Sequence, residues 1–600
     1  MNPANSGTID AGTPIVNRRS NLIKAAARDR WHWTALAGVL LLASVLRFAG
    51  ITGVGIRFDD EAAYACDARL WYRCAQFLTD AGAIRAVFSG DHAAIQQRKE
   101  GHGIDFDSRY PKPCQGYTIP AACVMLVMGD TPDALFVANA LLGTLSVLVL
   151  YAVGVVLFDR LIAVCGALLL AVSPYHLLYA RSALADTSAG FFVLLGVLFW
   201  AMGHSGRWPW RRAYVLSGLA LGWAFTCHFR SAYVPMVLVA VELGGMIRPA
   251  EPCEPFVVRC WSLTRRWLCA ALAFAAPAVI LETVFRAARY TAVLVSDPLP
   301  LATFLEGCWY WAKLSYAVEE GTTTLRPHLT VITVFVTYFV HWHGVAAVLL
   351  AGGGLIVTMR RAGPATLPAI MIITTVVLLL FQRNTVGRAF SAMVPFACLC
   401  AAVAVGSCAA LVCRRDQRAA SWTALFVVSL AAIPGVISSV RLCTKRSDIE
   451  SACRYVAQRG GSLVVPARFK YRLYLDSTDV SLIGGERFHQ GDPPETMLAE
   501  LRAAGVRWLI TDPQYFHYEH GDPIFQWWDA MREHLEQTQT PTAEFPHMTD
   551  YRWEFLSEGP GLDRLPAMRQ AGAGPIRIYD LQHPLAIAAH SHQPTSSPTR

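Results

Sequence analysis

The sequence predicts an all-α polytopic membrane protein that continues into a small soluble α/β domain. Three observations predict it. The chain of 600 residues is 54% hydrophobic and 16% charged, against roughly 25% charged for an ordinary soluble domain. Apolar runs of ~20 residues, the length that crosses hydrocarbon, recur up to about residue 440. From about residue 445 they give way to short strand-like stretches such as "GSLVVPA", "GVRWLITD" and "PIRIYDL", separated by helical ones such as "PPETMLAELRAA". That alternation marks an α/β domain.

Hydropathy places about eleven spans, near 33–52, 133–157, 160–179, 186–203, 212–228, 232–248, 267–286, 329–358, 365–382, 388–412 and 421–440. The basic stretch "NRRSNLIKAAARDRWHW" precedes a run too long for a signal-peptide core, so residues 1–32 read as a retained cytoplasmic tail. With the N-terminus inside, the loops returning to the cytoplasm read "HSGRWPWRR", "IRPAEPCEPFVVRCWSLTRR", "MRRAG" and "CRRDQR". All are arginine-rich, as cytoplasmic loops are. The opposite loops, 53–132 and 287–328, and the tail after 440 mix both signs.

The expected arrangement is a multi-pass protein of the inner (plasma) membrane. Its membrane domain covers 33–440 and includes the outer loop 53–132; an extracytoplasmic α/β domain covers 441–580, and 581–600 form a disordered tail. The net charge of +8 is scattered in short clusters, which argues against a nucleic-acid partner. About half of the 16 cysteines fall inside predicted spans as small buried residues. Cys66, Cys74 and Cys114 share the first outer loop, where one disulfide among them is compatible with the sequence.

The first predicted span is followed by "IRFDDEAAYACDARLWYRC", residues 56–74. Asp59 suits a helix N-cap and Arg57 can pair with Glu61, four residues on. Asp60, Tyr64, Asp67 and Trp71 recur at helical spacing on one face. A carboxylate at the hydrocarbon boundary loses hydration and must be compensated or used.

A second acid, Asp186, and Arg181 fall in the outer turn between the third and fourth spans. The plainer alternative is that Asp186 caps the fourth span and Arg181 snorkels. Arg230 and Arg388 also fall at outer span ends, where the positive-inside tendency disfavours them. An anionic partner is expected there, and a phosphate gripped by guanidinium forks fits.

The succession of motifs resembles the GT-C membrane glycosyltransferases, in particular the protein O-mannosyltransferases and the bacterial enzyme that transfers aminoarabinose to lipid A. It consists of Asp60-Glu61 with Tyr64 after the first span, "YPKPCQGYTIPAACVMLVMGDTP" before the second, Ser173-Pro174 with Arg181 and Asp186 after the third, and "GRAFSAMVPFACLC" near the tenth.

The resemblance implies inverting sugar transfer from a polyprenyl-phosphate sugar to a lipid, glycan or protein acceptor. It implies Asp60, Glu61 and Asp186 as catalytic residues, with Asp60 as base or as ligand of a metal that activates the acceptor. It further implies Tyr64, Lys112, Arg181, Arg230 and Arg388 as substrate-binding residues, and a divalent cation held by Asp60 and Asp186. Pro111 stands where the lipid A enzyme has a glutamate, leaving Asp105, Asp107 or Glu61 to support a cation. Arg230 replaces a customary lysine, and the soluble tail carries no family motif.

Two other functions fit the composition. A lipid or sugar transporter needs acids at mid-depth, and the predicted spans hold few: Glu242 near an end and Glu282 as the exception. A non-catalytic scaffold would use the outer domain to bind a partner and would tolerate changes at Asp60 and Asp186.

Overall fold

A computed structural model describes residues 15–57, 59–102, 104, 115–247, 255–289, 330–361, 363–381, 387–413, 416–444, 446–465, 468–475, 478–484, 492–511, 523–546 and 575–586. Helix α1 (Ile15–Phe48) starts well upstream of the predicted first span. Four helices then form the loop that the sequence places outside: α2 (Asp59–Thr79), α3 (Ala81–Ser89), α4 (His92–Gly101) and α5 (Gln115–Met128). The bundle continues with α6 (Asp133–Leu157), α7 (Arg160–Ala171), α8 (Pro174–Ala180), α9 (Asp186–His204), α10 (Trp210–Cys227), α11 (Tyr233–Ile247) and α12 (Phe256–Arg289). It closes with α13 (Thr330–Met359), α14 (Leu367–Leu380), α15 (Val394–Val412) and α16 (Gln417–Cys443).

Each predicted span coincides with a helix, except the third, which is divided between α7 and α8. Nine described helical segments are long and apolar enough to cross a membrane, and the bent pair α7–α8 makes a tenth. The eleventh, α10, opens on Arg211 and Arg212 and is less apolar, yet it packs closely against α9 and α12. Small residues let these helices approach: a Cβ on Gly354 of α13 would lie 1.7 Å from the Cys400 carbonyl oxygen of α15.

The third span is broken by 61° between α7 and α8. A break inside a bilayer frees backbone carbonyls that water cannot reach. Arg47, fully buried near the end of α1, donates to the carbonyls of Leu170 (3.3 Å) and Ala171 (3.1 Å). Ser439 of α16 donates to the Val172 carbonyl at 3.0 Å, and Ser173 caps α8 before Pro174. The sequence places one long helix here; the Ser-Pro pair and these side chains make two.

The C-terminal region adds α17 (Ile449–Ala457), β1 (Gly461–Val465), α18 (Arg468–Leu475), β2 (Val480–Gly484), α19 (Pro494–Ala503), β3 (Trp508–Thr511) and α20 (Pro523–Thr538). Short strands β4 (Gln539–Thr540), β5 (Ala543–Phe545), β6 (Ile576–Asp580) and β7 (Leu585–Ala586) complete it. The main sheet has the order β2-β1-β3-β6-β5, with β1 parallel to β2 and β3, and β6 antiparallel to both its neighbours. Leu463 and Val465 pack with Ile449, Val456 and Tyr471 on one face, while Val464 packs with Leu498, Leu501 and Leu535 on the other. Both faces of β1 are thus covered, as its unbroken apolar sequence requires.

The C-terminal α/β domain is fastened to the chain just before α2. Ser447 donates its N–H to the Val54 carbonyl (2.9 Å) and its hydroxyl to the Ile56 carbonyl (2.8 Å). The Ile56 N–H donates to the Tyr474 hydroxyl at 3.3 Å. Gly55 lies between them at φ +74°, and a Cβ there would meet the Ser447 carbonyl oxygen at 2.6 Å, so only glycine fits.

In the outer loop, Asp80 caps α3 through the Gly82 N–H (2.8 Å), pairs with Arg98 (2.7 Å) and meets His102 (3.3 Å), which ties α3 to α4. These donors hold its carboxyl down at about 2. Cys74 is a free thiol, and burial pushes it up to about 11. Cys114 lies outside the described residues, as do Lys112, Pro111, Asp105, Asp107, the 290–329 stretch and residues 587–600.

Candidate active site

The site is assembled from helix ends. Helix α2 begins at Asp59, whose side chain lies outside the described residues, and presents Asp60 in its first turn. The Asp60 carboxylate meets the Arg388 guanidinium at 2.8 Å; the two side chains keep 15% and 16% of their surface exposed. Arg388 comes from the 3-10 segment Gly387–Met393 that leads into α15. Asp186 opens α9 and is buried, within the electrostatic reach of Arg388, Arg230 and Asp60. Arg230 sits in the 3-10 turn Phe229–Ala232, which His228 caps by accepting from the Arg230 N–H at 3.3 Å. Asp60, Asp186, Arg230 and Arg388, far apart in sequence, are therefore neighbours.

Asp186, Arg230 and Arg388 line a cavity of about 270 Å³. Its remaining wall is largely apolar and includes Val193, Met236, Leu378 and Leu379, with His228, Ser231, Thr375 and Ser391 among its polar members.

Beneath this cluster lies a buried layer that holds it in place. Glu61 is fully buried; it accepts from the Arg57 N–H (2.6 Å) and guanidinium (3.3 Å) and from the Ala183 N–H (2.9 Å). Arg57 also donates to the Arg181 carbonyl at 2.7 Å. Asn139 of α6 donates to the carbonyls of Ser182 (2.7 Å) and Leu184 (2.6 Å). The turn 181–185 that delivers Asp186 is thus clamped from three sides. Glu61 positions the site; it does not face the cavity.

Arg181 departs from the sequence-based expectation. Its guanidinium is turned away from the cavity and donates to the carbonyls of Arg47 (3.0 Å) and Ala49 (2.7 Å), with longer contacts to Leu46 and Cys443. The end of α1 leaves carbonyls without helical partners, and a buried guanidinium satisfies several at once. Tyr64 likewise is buried, its ring edge-on to Tyr117 at 5.8 Å, and joins α2 to α5. Lys112 lies outside the described residues.

For a divalent cation the described residues do not provide a full set: no group of three His, Cys, Asp or Glu side chains is gathered, and Asp60 already pairs with Arg388. Two polar residues that the sequence did not single out, Gln115 and Thr118, are buried in the first turn of α5. Their signal was available, because both are polar at helical spacing at the head of an apolar run.

The architecture, a long helical bundle with an acidic helix following the first span, is the GT-C membrane glycosyltransferase fold. Residues 115–248 match the family described as dolichyl-phosphate-mannose-protein mannosyltransferase. Among solved structures, ArnT from Cupriavidus metallidurans bound to undecaprenyl phosphate is similar with a TM-score of 0.53 and 16% identity, over 81% of this chain and 94% of that one. The apo oligosaccharyltransferase of Archaeoglobus fulgidus is similar with a TM-score of 0.51 and 12% identity, over 83% of this chain and 72% of that one. No curated protein matches the sequence.

Proposed function

We propose that this chain is an integral-membrane glycosyltransferase of the inner (plasma) membrane. It moves a sugar from a polyprenyl-phosphate donor to a hydroxyl of a lipid, glycan or protein acceptor on the extracytoplasmic face. The observation that carries this is the Asp60–Arg388 ion pair, with Asp186 and Arg230 within electrostatic reach, beside a cavity whose remaining lining is largely apolar. Such a cavity suits a phosphate beside the arginines and a prenyl chain along the apolar lining. The undecaprenyl phosphate held by ArnT supports the same donor class here. The arginine-rich loops on one side support an orientation with the N-terminus cytoplasmic and the C-terminal domain outside.

In the transfer step the acceptor oxygen bonds to the anomeric carbon as the bond from that carbon to the phosphate oxygen breaks. The hydroxyl proton passes to Asp60, and polyprenyl phosphate leaves with the electron pair. A single displacement inverts the anomeric centre. Arg230 and Arg388 stabilise the charge growing on the leaving phosphate. Arg388 exchanges Asp60 for the phosphate when the donor binds, which frees the base. Asp186 orients the arginines. No step is routed through a cation, for which the described residues lack a ligand set.

Transport is the less favoured function. Glu242, an acid inside a span, accepts hydrogen bonds from the Trp200 indole (2.6 Å) and the Tyr214 hydroxyl and faces Arg266 at 3.7 Å, so it serves packing. The test is mass spectrometry of lipid-linked sugars in a deletion strain complemented with wild type or Asp60→Asn. One polyprenyl-phosphate sugar should accumulate in the deletion and in the variant, which should express normally. Removing a general base costs ~10²–10⁴ in rate, so near-normal turnover by Asp60→Asn would exclude this role.

A further inference from the structure

The first turn of α5 holds two polar groups that the transfer step does not use. Gln115 is 3% exposed, and both its amide Oε1 and Nε2 are without a hydrogen-bond partner among the described residues. Thr118, three residues on, is fully buried, and its Oγ1 also has none. Residues at i and i+3 share a helix face. Buried donors and acceptors that bond neither protein nor water are strongly unfavourable, and such groups point to a ligand or an ordered water that completes them.

The neighbours of Gln115 fix where it lies. Gly116 fits so closely against the end of α10 that a Cβ would stand 2.4 Å from Thr226 Oγ1 and 2.8 Å from the Cys227 nitrogen. Cys227 ends α10 and is followed by His228, which caps the turn that carries Arg230. On the other flank the Tyr117 ring meets Tyr64, one turn along α2 from Asp60. The first turn of α5, and Gln115 with it, is thus held between α2, which carries Asp60, and the end of α10, which leads to Arg230.

An amide and a hydroxyl each donate and accept, as a sugar hydroxyl does. A phosphate only accepts, and it finds its donors in Arg230 and Arg388. We propose that Gln115 and Thr118 bind hydroxyl groups of the transferred sugar and so select the donor, given the transferase function proposed above.

The test uses the full chain in lipid nanodiscs. Undecaprenyl phosphate, bare or bearing mannose, glucose, galactose or arabinose, competes with a labelled undecaprenyl phosphate. The wild type should prefer one sugar-bearing form over the bare lipid. Gln115→Met should lose that preference by about tenfold while binding bare undecaprenyl phosphate as before. Its thermal midpoint should be unchanged or higher, because an unsatisfied amide is replaced by an apolar chain of similar size. Thr118→Val should act in the same direction.

The proposal is overturned if both variants keep the wild-type preference, or if the wild type shows no preference at all. It is overturned too if Gln115→Met melts early, which would show that the amide holds the fold together. A wild type that binds undecaprenyl phosphate in no form would instead remove the transferase function itself, and this assignment with it.

Discussion

Asp60 and Arg388 face each other at 2.8 Å, one at the start of α2 and the other in the turn before α15. In the transfer step proposed above, an anion that draws the guanidinium away would release Asp60 to act as base, so that arrival of the donor would arm the site. Arg388→Gln should therefore weaken binding of bare undecaprenyl phosphate by about 10–100-fold, the worth of a hydrogen bond to a charged group. Competition binding measures it, and unchanged affinity would remove Arg388 from the phosphate site.

Arg181 should behave as a structural residue. Arg181→Leu strips buried carbonyls at the end of α1 of their donor, at a cost of about 2–4 kcal/mol. Thermal unfolding in detergent should show the loss. Folded protein should bind undecaprenyl phosphate as the wild type does; weakened binding at full stability would restore the sequence-based role.

Glu61→Gln breaks a buried pair and leaves the Arg57 guanidinium without its counter-charge. Loss of one partner from such a pair costs about 3–5 kcal/mol. The double variant Glu61→Gln with Arg57→Met should recover much of that stability. Failure of the second change to help would show that the two residues act separately.

Asp80 gives the outer loop an acid limit. Its carboxyl is held at about 2, below an unfolded value of about 3.9. A depressed carboxyl contributes stability that is full above the unfolded value and is lost as pH falls through the folded one. Hydrogen exchange across α3 and α4 should accelerate between about pH 4 and pH 2, and Asp80→Asn should remove that dependence. Equal pH dependence in the variant would assign the effect elsewhere.

The membrane half of the fold was legible in the sequence because hydrocarbon imposes a length; all the predicted spans are helical. The neighbourhood of Asp60, Asp186, Arg230 and Arg388 was legible because each charge sat where the membrane makes charge costly. The destination of a side chain was not. Arg181 and Arg230 look alike in sequence, both at outer ends of spans. The carbonyls at the end of α1 claim one of them, and only the packing of α1 against the 181–185 turn decides which. The broken third span escaped hydropathy for a similar reason, since Arg47 satisfies its open carbonyls from a helix more than a hundred residues away.

The fastening of Ser447 to Val54 and Ile56 ends four residues before Asp60. The C-terminal domain is thereby a handle on the start of α2: whatever tilts it pulls on the segment that sets the reach of Asp60 toward Arg388. A chain cut after α16 would keep every charged residue of the site and still let the start of α2 swing. Loss of activity on such truncation would speak of lost alignment, with the chemistry of the membrane half intact.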